Sequence, residues 1–258
     1  MIESLLGVLI SLALLIWSCD FAIKNSILIS HVYKIRPILV GIFIIAIGTS
    51  LPEFAATFQA LKLNSIGIVA GNLVGSNIAN ILLVGGIMLY PITRLVTDKR
   101  DKSTFLFFLI FSIVFFIFII FNFNIGYMYG ALLFGLLCFF IYFELKKPID
   151  ETNTISEITH SSSFFIILKI ILAFIALFFS SKYFIVYAKD LTSIFGVAET
   201  TIGITIVAFG TSLPEVIATI LSIVKKQNNL AIGNILGSNI ANIFGITIIA
   251  VLINGSIN

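Results

Sequence analysis

Two glutamates, Glu53 and Glu215, stand in the middle of long apolar stretches, each closing the sequence Gly-Thr-Ser-Leu-Pro-Glu, at 48–53 and again at 210–215. An ionised carboxylate in such surroundings is costly unless it faces a partner, water or a cation. Neither stretch carries a basic residue at mid-depth to neutralise it, which leaves a cation as the natural partner. Pro52 has no N–H for the carbonyl of Gly48, and Pro214 none for that of Gly210, so each helix is expected to break one turn before its glutamate and free carbonyls into the interior. Thr49 and Glu53 are four residues apart and share a helix face, as do Thr211 and Glu215. Carboxylate, hydroxyl and carbonyl oxygens around one point are the ligands a hard cation such as Ca²⁺ takes.

A second motif follows each glutamate. Asn72, Ser76 and Asn80, and again Asn234, Ser238 and Asn242, recur at i, i+4, i+8, which makes a polar, uncharged stripe on one helix face. Ser76, Asn80, Ser238 and Asn242 are read as candidate ligands. Asn77 and Asn239 fall about 100° off the stripe and are expected to be structural. Gly71, Gly75 and Ala79, with Gly233, Gly237 and Ala241, have the small-xxx-small spacing that lets membrane helices approach closely. The fixed charge of the set is that of two carboxylates, which one Ca²⁺ or two Na⁺ would balance.

The two copies are a duplication. A shift of 162 residues aligns positions 41–81 with 203–243 without a gap, at 21 identities in 41 pairs. The second copy begins five spans after the first, and an odd displacement makes the copies run in opposite directions across a bilayer. Inverted repeats with a site at the midplane between them are the architecture of secondary transporters.

The elements that must hold these residues are helices in a membrane. Of 258 residues, 59% are hydrophobic and 10% charged, where a soluble domain has about 25% charged. This excludes a soluble protein and a large extramembrane enzyme domain, so no catalytic residue and no bound cofactor is expected, and a net charge of +3 gives no nucleic-acid reading. Apolar windows of spanning length fall at about 3–29, 37–61, 65–90, 103–122, 125–144, 163–189, 198–223 and 228–253, an expected eight spans in an all-α polytopic bundle. The first reads as a retained span rather than a signal peptide. Placing the N-terminus outside puts Lys34, Arg36, Arg94, Lys99, Arg100, Lys102, Lys146, Lys147, Lys225 and Lys226 inside and leaves Lys62 outside, which gives both termini out. The polar stretch 146–162, with His160 read as a loop residue, is a cytoplasmic linker between a first half, 1–145, with its repeat at about 37–90, and a second half, 163–258, with its repeat at about 198–253. Cys19 and Cys138 lie in apolar runs and are expected as packed free thiols.

The paired motifs resemble the two α-repeats of the cation/Ca²⁺ exchanger superfamily, the sodium/calcium exchangers of bacterial and archaeal type, and the resemblance covers nearly the whole chain. It implies a ten-helix fold, of which the last two helices are not encoded before Asn258. It implies that Glu53 and Glu215 ligate Ca²⁺ and share Na⁺, that Thr49, Ser50, Ser76 and Asn80 with Thr211, Ser212, Ser238 and Asn242 complete the sites, and that carbonyls near Ala46 and Ala208 contribute. Long first and sixth spans would slide past the core to alternate access. The chain departs from relatives that carry Asp at the position of Asn242 and an acidic residue at that of Lys182. The expected function is a Ca²⁺/Na⁺ antiporter of the plasma (inner) membrane, its partners membrane lipid and the transported Ca²⁺ and Na⁺, with no nucleic acid; the outer faces of spans 7 and 8 must meet lipid or another chain, so a homo-oligomer, or else reduced stability in detergent, is expected. Two alternatives stay open: proton-coupled cation exchange, since a desolvated glutamate can itself carry a proton, and a truncated, transport-inactive membrane subunit.

Overall fold

The computed structural model describes residues 2–62, 66–87, 127–146, 163–194 and 208–246, together with Ile113, and every regular element among the described residues is helical. In chain order these are α1 (Ile2–Val32), α2 (Pro37–Thr49), α3 (Leu51–Lys62), α4 (Ile66–Ala79, continued by Asn80–Val84 and Gly85–Ile87), α5 (Tyr127–Leu145), α6 (Ser163–Ile194), α7 (Ala208–Thr211), α8 (Leu213–Val224) and α9 (Asn228–Ala241, continued by Asn242–Ile246). Seven of the eight expected spans thus have helix at their positions. The span expected at 103–122 lies outside the described residues except for Ile113, as do linker residues 147–162 with His160.

Among the described residues, α1 and α6 are long and apolar enough to cross a membrane alone, and α2 with α3 forms one further span bent by 46°. At 31 and 32 residues, α1 and α6 exceed the roughly 20 residues a bilayer core requires. They pair with each other along their length and leave Leu9, Ile10 and Trp17 of α1 and Phe164, Phe165, Leu172 and Tyr183 of α6 exposed, as an apolar face toward lipid tails would be. Their inner residues Leu15, Cys19, Ala22, Ile23, Ala173 and Leu177 pack with Val40, Ile45, Leu213, Ala218 and Leu230 in one buried cluster.

Helix α9 is the innermost element, buried without interruption from Leu230 to Ile240. It crosses α2 at glycines: a Cβ on Gly233 would overlap the Ile38 carbonyl, and one on Gly237 would meet the Ile42 backbone. Small residues here let two backbones touch, since packing and not hydrophobic drive holds helices together in lipid.

Some placements differ from the sequence reading. Cys19 is buried, but Cys138 is exposed on α5, because that helix presents most of its described side chains outward. Lys182 is exposed on α6, directed away from the core. Arg36, placed by the sequence only on a side of the membrane, is 8% exposed and its Nη1 donates to Oε2 of Glu144, itself 1% exposed, which ties the α1–α2 corner to the end of α5.

Candidate ion-binding site

Each repeat breaks at the serine of its Thr-Ser-Leu-Pro-Glu motif. Ser50 has φ −82°, ψ 4° and Ser212 has φ −86°, ψ 0°, so helix α2 stops and α3 begins at a new angle, and α7 gives way to α8 in the same manner. The prolines then occupy the first turn of the following helix, where a missing N–H costs nothing. The glutamates come one residue later, in the first turns of α3 and α8, with 0% exposure for both.

The structure brings the expected residues of the two repeats together. Glu53, Glu215, Thr49, Thr211, Ser50, Ser212, Ser76, Asn80, Ser238 and Asn242 are all buried, none more than 4% exposed. The links cross between repeats. Ser50 Oγ donates to Glu215 Oε1 at 3.0 Å, and Ser212 Oγ donates to Glu53 Oε1 at 3.5 Å. Asn242 Nδ2 donates to Ser76 Oγ at 3.0 Å, and Thr49 Oγ1 to Asn234 Oδ1 at 3.3 Å. The Ala46 carbonyl accepts from Ser50 N at 3.0 Å and Thr49 Oγ1 at 3.2 Å, while Ala208 opens α7.

The remaining stripe members serve the scaffold. Asn72 Nδ2 donates to the Glu53 carbonyl at 3.0 Å and to Thr57 Oγ1 at 2.8 Å; Asn234 Nδ2 repeats this on the Glu215 carbonyl at 3.2 Å and Thr219 at 3.0 Å. Each amide therefore clamps its helix to the one carrying the glutamate. Thr57 and Thr219 were not singled out in the sequence, although a signal existed: they are identical in both copies and lie one turn beyond each glutamate. Asn77 and Asn239 donate to the carbonyls of Leu73 and Ile235 four residues back, at 2.6 and 2.9 Å, as positions off the stripe.

At Asn80 and at Asn242 the helix widens into a π-helical stretch of five residues, Asn80–Val84 and Asn242–Ile246. Such turns inside α-helices are frequent at functional sites, because they re-aim side chains and loosen the carbonyl ladder.

Several polar atoms of the site are left unpaired. Glu53 Oε2, Glu215 Oε2, both amide atoms of Asn80, Ser238 Oγ and Asn242 Oδ1 are buried without a hydrogen-bond partner. Natural proteins rarely bury polar atoms in this way, and a cluster of them calls for a bound species. Among the described residues no Lys or Arg forms an ion pair with either glutamate. Two buried like charges without a counter-charge are strongly unfavourable, and a cation relieves both at once. The unpaired atoms are mainly oxygens, the ligand type of Ca²⁺ and other hard cations.

An inverted pair of broken helices around two buried carboxylates defines an ion transporter of secondary-active type. Residues 3–146 and 165–258 match the sodium/calcium exchanger protein family, and the chain belongs to it. It is similar to the sodium/calcium exchanger MaX1 of Methanosarcina acetivorans, 30% identical over 280 residues that cover 92% of this chain and 79% of that protein. It is also similar to the inner membrane protein YrbG of Escherichia coli, 27% identical over 247 residues, or 91% of this chain and 75% of YrbG. Among solved structures, the sodium-calcium exchanger NCX_Mj soaked with Na⁺ and Ca²⁺ superposes with a TM-score of 0.80 at 27% identity, covering 98% of this chain and 83% of that one. The chain is accordingly an all-α integral membrane protein of inverted-repeat architecture, and its family consists of transporters and not enzymes.

Proposed function

We propose that this protein exchanges Ca²⁺ for Na⁺ by alternating access, at one central site built from Glu53, Glu215 and the hydroxyl, amide and carbonyl groups around them. One observation carries the reading. Each glutamate has one oxygen held by the serine of the opposite repeat and the other oxygen buried without a partner. The bound oxygens fix the carboxylates, and the unpaired ones are the strongest ligands available to a cation in this low-dielectric setting.

Ca²⁺ is balanced by the two carboxylates and completed by neutral oxygens from Thr49, Ser50, Thr211 and Ser212. Na⁺ competes for the same carboxylates and adds the Ser76, Asn80, Ser238 and Asn242 groups, with the Ala46 and Ala208 carbonyls at the helix breaks. Because the ions share ligands, they occupy the site in turn, and this competition couples their fluxes. Na⁺ as the coupling ion is favoured by the names of MaX1 and of the soaked exchanger structure, both sodium/calcium exchangers.

In the plasma (inner) membrane both termini would face outward. The excess of basic residues in the connections that this orientation places inside, Lys34, Arg36, Lys146, Lys225 and Lys226 among them, supports that reading. Residues 1–145 and 163–258 then act as two halves joined by a cytoplasmic linker at 146–162.

The test is uptake of ⁴⁵Ca²⁺ into proteoliposomes with and without an outward Na⁺ gradient at fixed pH. Uptake that follows the Na⁺ gradient is expected. Uptake driven by a pH gradient and indifferent to Na⁺ would assign the site to proton exchange, and absence of flux under both would overturn antiport.

A further inference from the structure

The duplication extends into the two long helices. Shifting Ile2–Val32 by 162 residues places α1 on 164–194, the length of α6. The correspondence reaches individual side chains. Leu15 and Leu177 are both fully buried, and Ser18 and Ser180 each donate to the carbonyl three residues back, at 3.0 and 2.9 Å. Beyond them the copies diverge, with Cys19 matched by Ser181 and Asp20 by Lys182.

Contacts between this helix pair and the core do not share the symmetry. Cys19 Sγ donates to the Pro214 carbonyl at 3.8 Å, but Ser181 Oγ donates to the Gly210 carbonyl at 3.4 Å and not to Pro52. Phe174 covers Gly48, and Ile185 with Phe184 covers Gly210, so α6 closes over the helix breaks of both repeats. The positions of α1 that match Phe174 and Ile185 are Leu12 and Ile23. Under alternating access, an inverted duplication placed unequally against its core has a second arrangement, in which α1 and α6 exchange these roles. The two arrangements open the central site to opposite sides.

One contact is not matched on exchange. Asp20 Oδ1 lies 2.6 Å from Lys225 Nζ at the end of α8, while its Oδ2 lies 2.6 Å from Lys24 Nζ on α1 itself. The Asp20–Lys225 bond therefore ties α1 to the core. In the exchanged arrangement the matching residues are Lys182 and Leu63, with Lys62 next in sequence, and no ion pair forms. We propose that the Asp20–Lys225 ion pair is a one-sided latch, which favours the arrangement described here over its exchanged counterpart and so biases the side to which the ion site rests open. This rests on the alternating-access reading above. Both side chains are about a quarter exposed (26% and 24%), so the bias is that of a partly screened pair, about two- to five-fold in population.

The experiment uses the full chain in proteoliposomes of defined orientation and measures the apparent Ca²⁺ affinity from each side. An occupancy shift between two states changes the two affinities in opposite senses. Asp20→Asn and Lys225→Gln are expected to move the ratio of the two affinities by about two- to five-fold in the same direction, with the double variant moving it no further than either single one. Lys182→Asp combined with Leu63→Lys, which writes the pair into the matching positions, is expected to move the ratio the opposite way. An unchanged ratio in transporting variants, or additive shifts in the double variant, overturns the latch and leaves the antiport reading standing. Absence of Ca²⁺/Na⁺ exchange in the unsubstituted protein overturns the antiport reading itself.

Discussion

Ser50 donates its hydroxyl hydrogen to Oε1 of Glu215 at 3.0 Å, although the two are 165 residues apart and belong to opposite repeats; Ser212 and Glu53 repeat the relationship at 3.5 Å. The serine that breaks one helix thus orients the carboxylate of the other. Neither repeat orients its glutamate alone, so at the proposed site ion affinity would depend on how closely the two halves meet.

The two bonds differ in length, and their removal should differ in effect. Hydrogen bonds to charged groups contribute about 1.5–3 kcal/mol, roughly ten-fold or more in binding. Ser50→Ala is expected to lower apparent Ca²⁺ affinity by about ten-fold, and Ser212→Ala by less, because its bond is at the limit of hydrogen-bond distance. Calcium titration of exchange rates in the two variants checks the order; equal losses would contradict it.

Glu53→Gln and Glu215→Gln should each abolish Ca²⁺ exchange while the bundle still folds. Each change removes half of the charge that balances a divalent ion, yet relieves the burial of a carboxylate. The unsubstituted protein should gain thermal stability from Ca²⁺, by about 2.7 kcal/mol at a concentration 100 times Kd, and the Gln variants should not. Melting in detergent with and without Ca²⁺ tests binding independently of transport. Wild-type uptake by either variant would remove the carboxylates from the site.

Ser76 and Ser238 occupy equivalent positions but unequal environments. Ser76 accepts from Asn242 at 3.0 Å and donates to the Asn72 carbonyl at 2.6 Å, whereas Ser238 Oγ has no partner. Ser76→Ala is therefore expected to cost about 1 kcal/mol of stability, and Ser238→Ala none. Both should weaken Na⁺-driven exchange, since both hydroxyls belong to the proposed ligand set. Melting temperatures read beside Na⁺ dependence separate the two effects.

The proline after each Ser-Leu and the polar stripe one helix later were legible because residue type dictates them: proline cannot donate, and i, i+4, i+8 amides must share a face. The π-helical stretches were not, since beyond their asparagines Asn80–Val84 and Asn242–Ile246 are runs of apolar residues and glycine that no local rule sets apart from an α-helix. The cross-repeat pairs could be framed by the duplication but not assigned, because which serine meets which glutamate is decided by packing of the halves. The exposure of Cys138 and the partner of Arg36 were not legible for a related reason. Hydropathy places a residue within a span, but neither its facing nor a carboxylate 108 residues away can be read from a window.

The last prediction concerns that carboxylate. Arg36 and Glu144 are both more than nine-tenths buried, and their pair joins the α1–α2 corner to the end of α5 without including a proposed ligand. Removing one partner of a buried pair leaves the other charge desolvated, which costs about 3–5 kcal/mol. Glu144→Ala should accordingly lower the melting temperature in detergent by a large margin. Replacing both, as Arg36→Met with Glu144→Leu, removes the stranded charge and should recover most of the loss. At temperatures where the variants remain folded, their apparent Ca²⁺ affinity should match that of the unsubstituted protein, because neither residue belongs to the proposed ligand set. A double variant as unstable as Glu144→Ala would show that the pair contributes through specific geometry and not by mutual neutralisation.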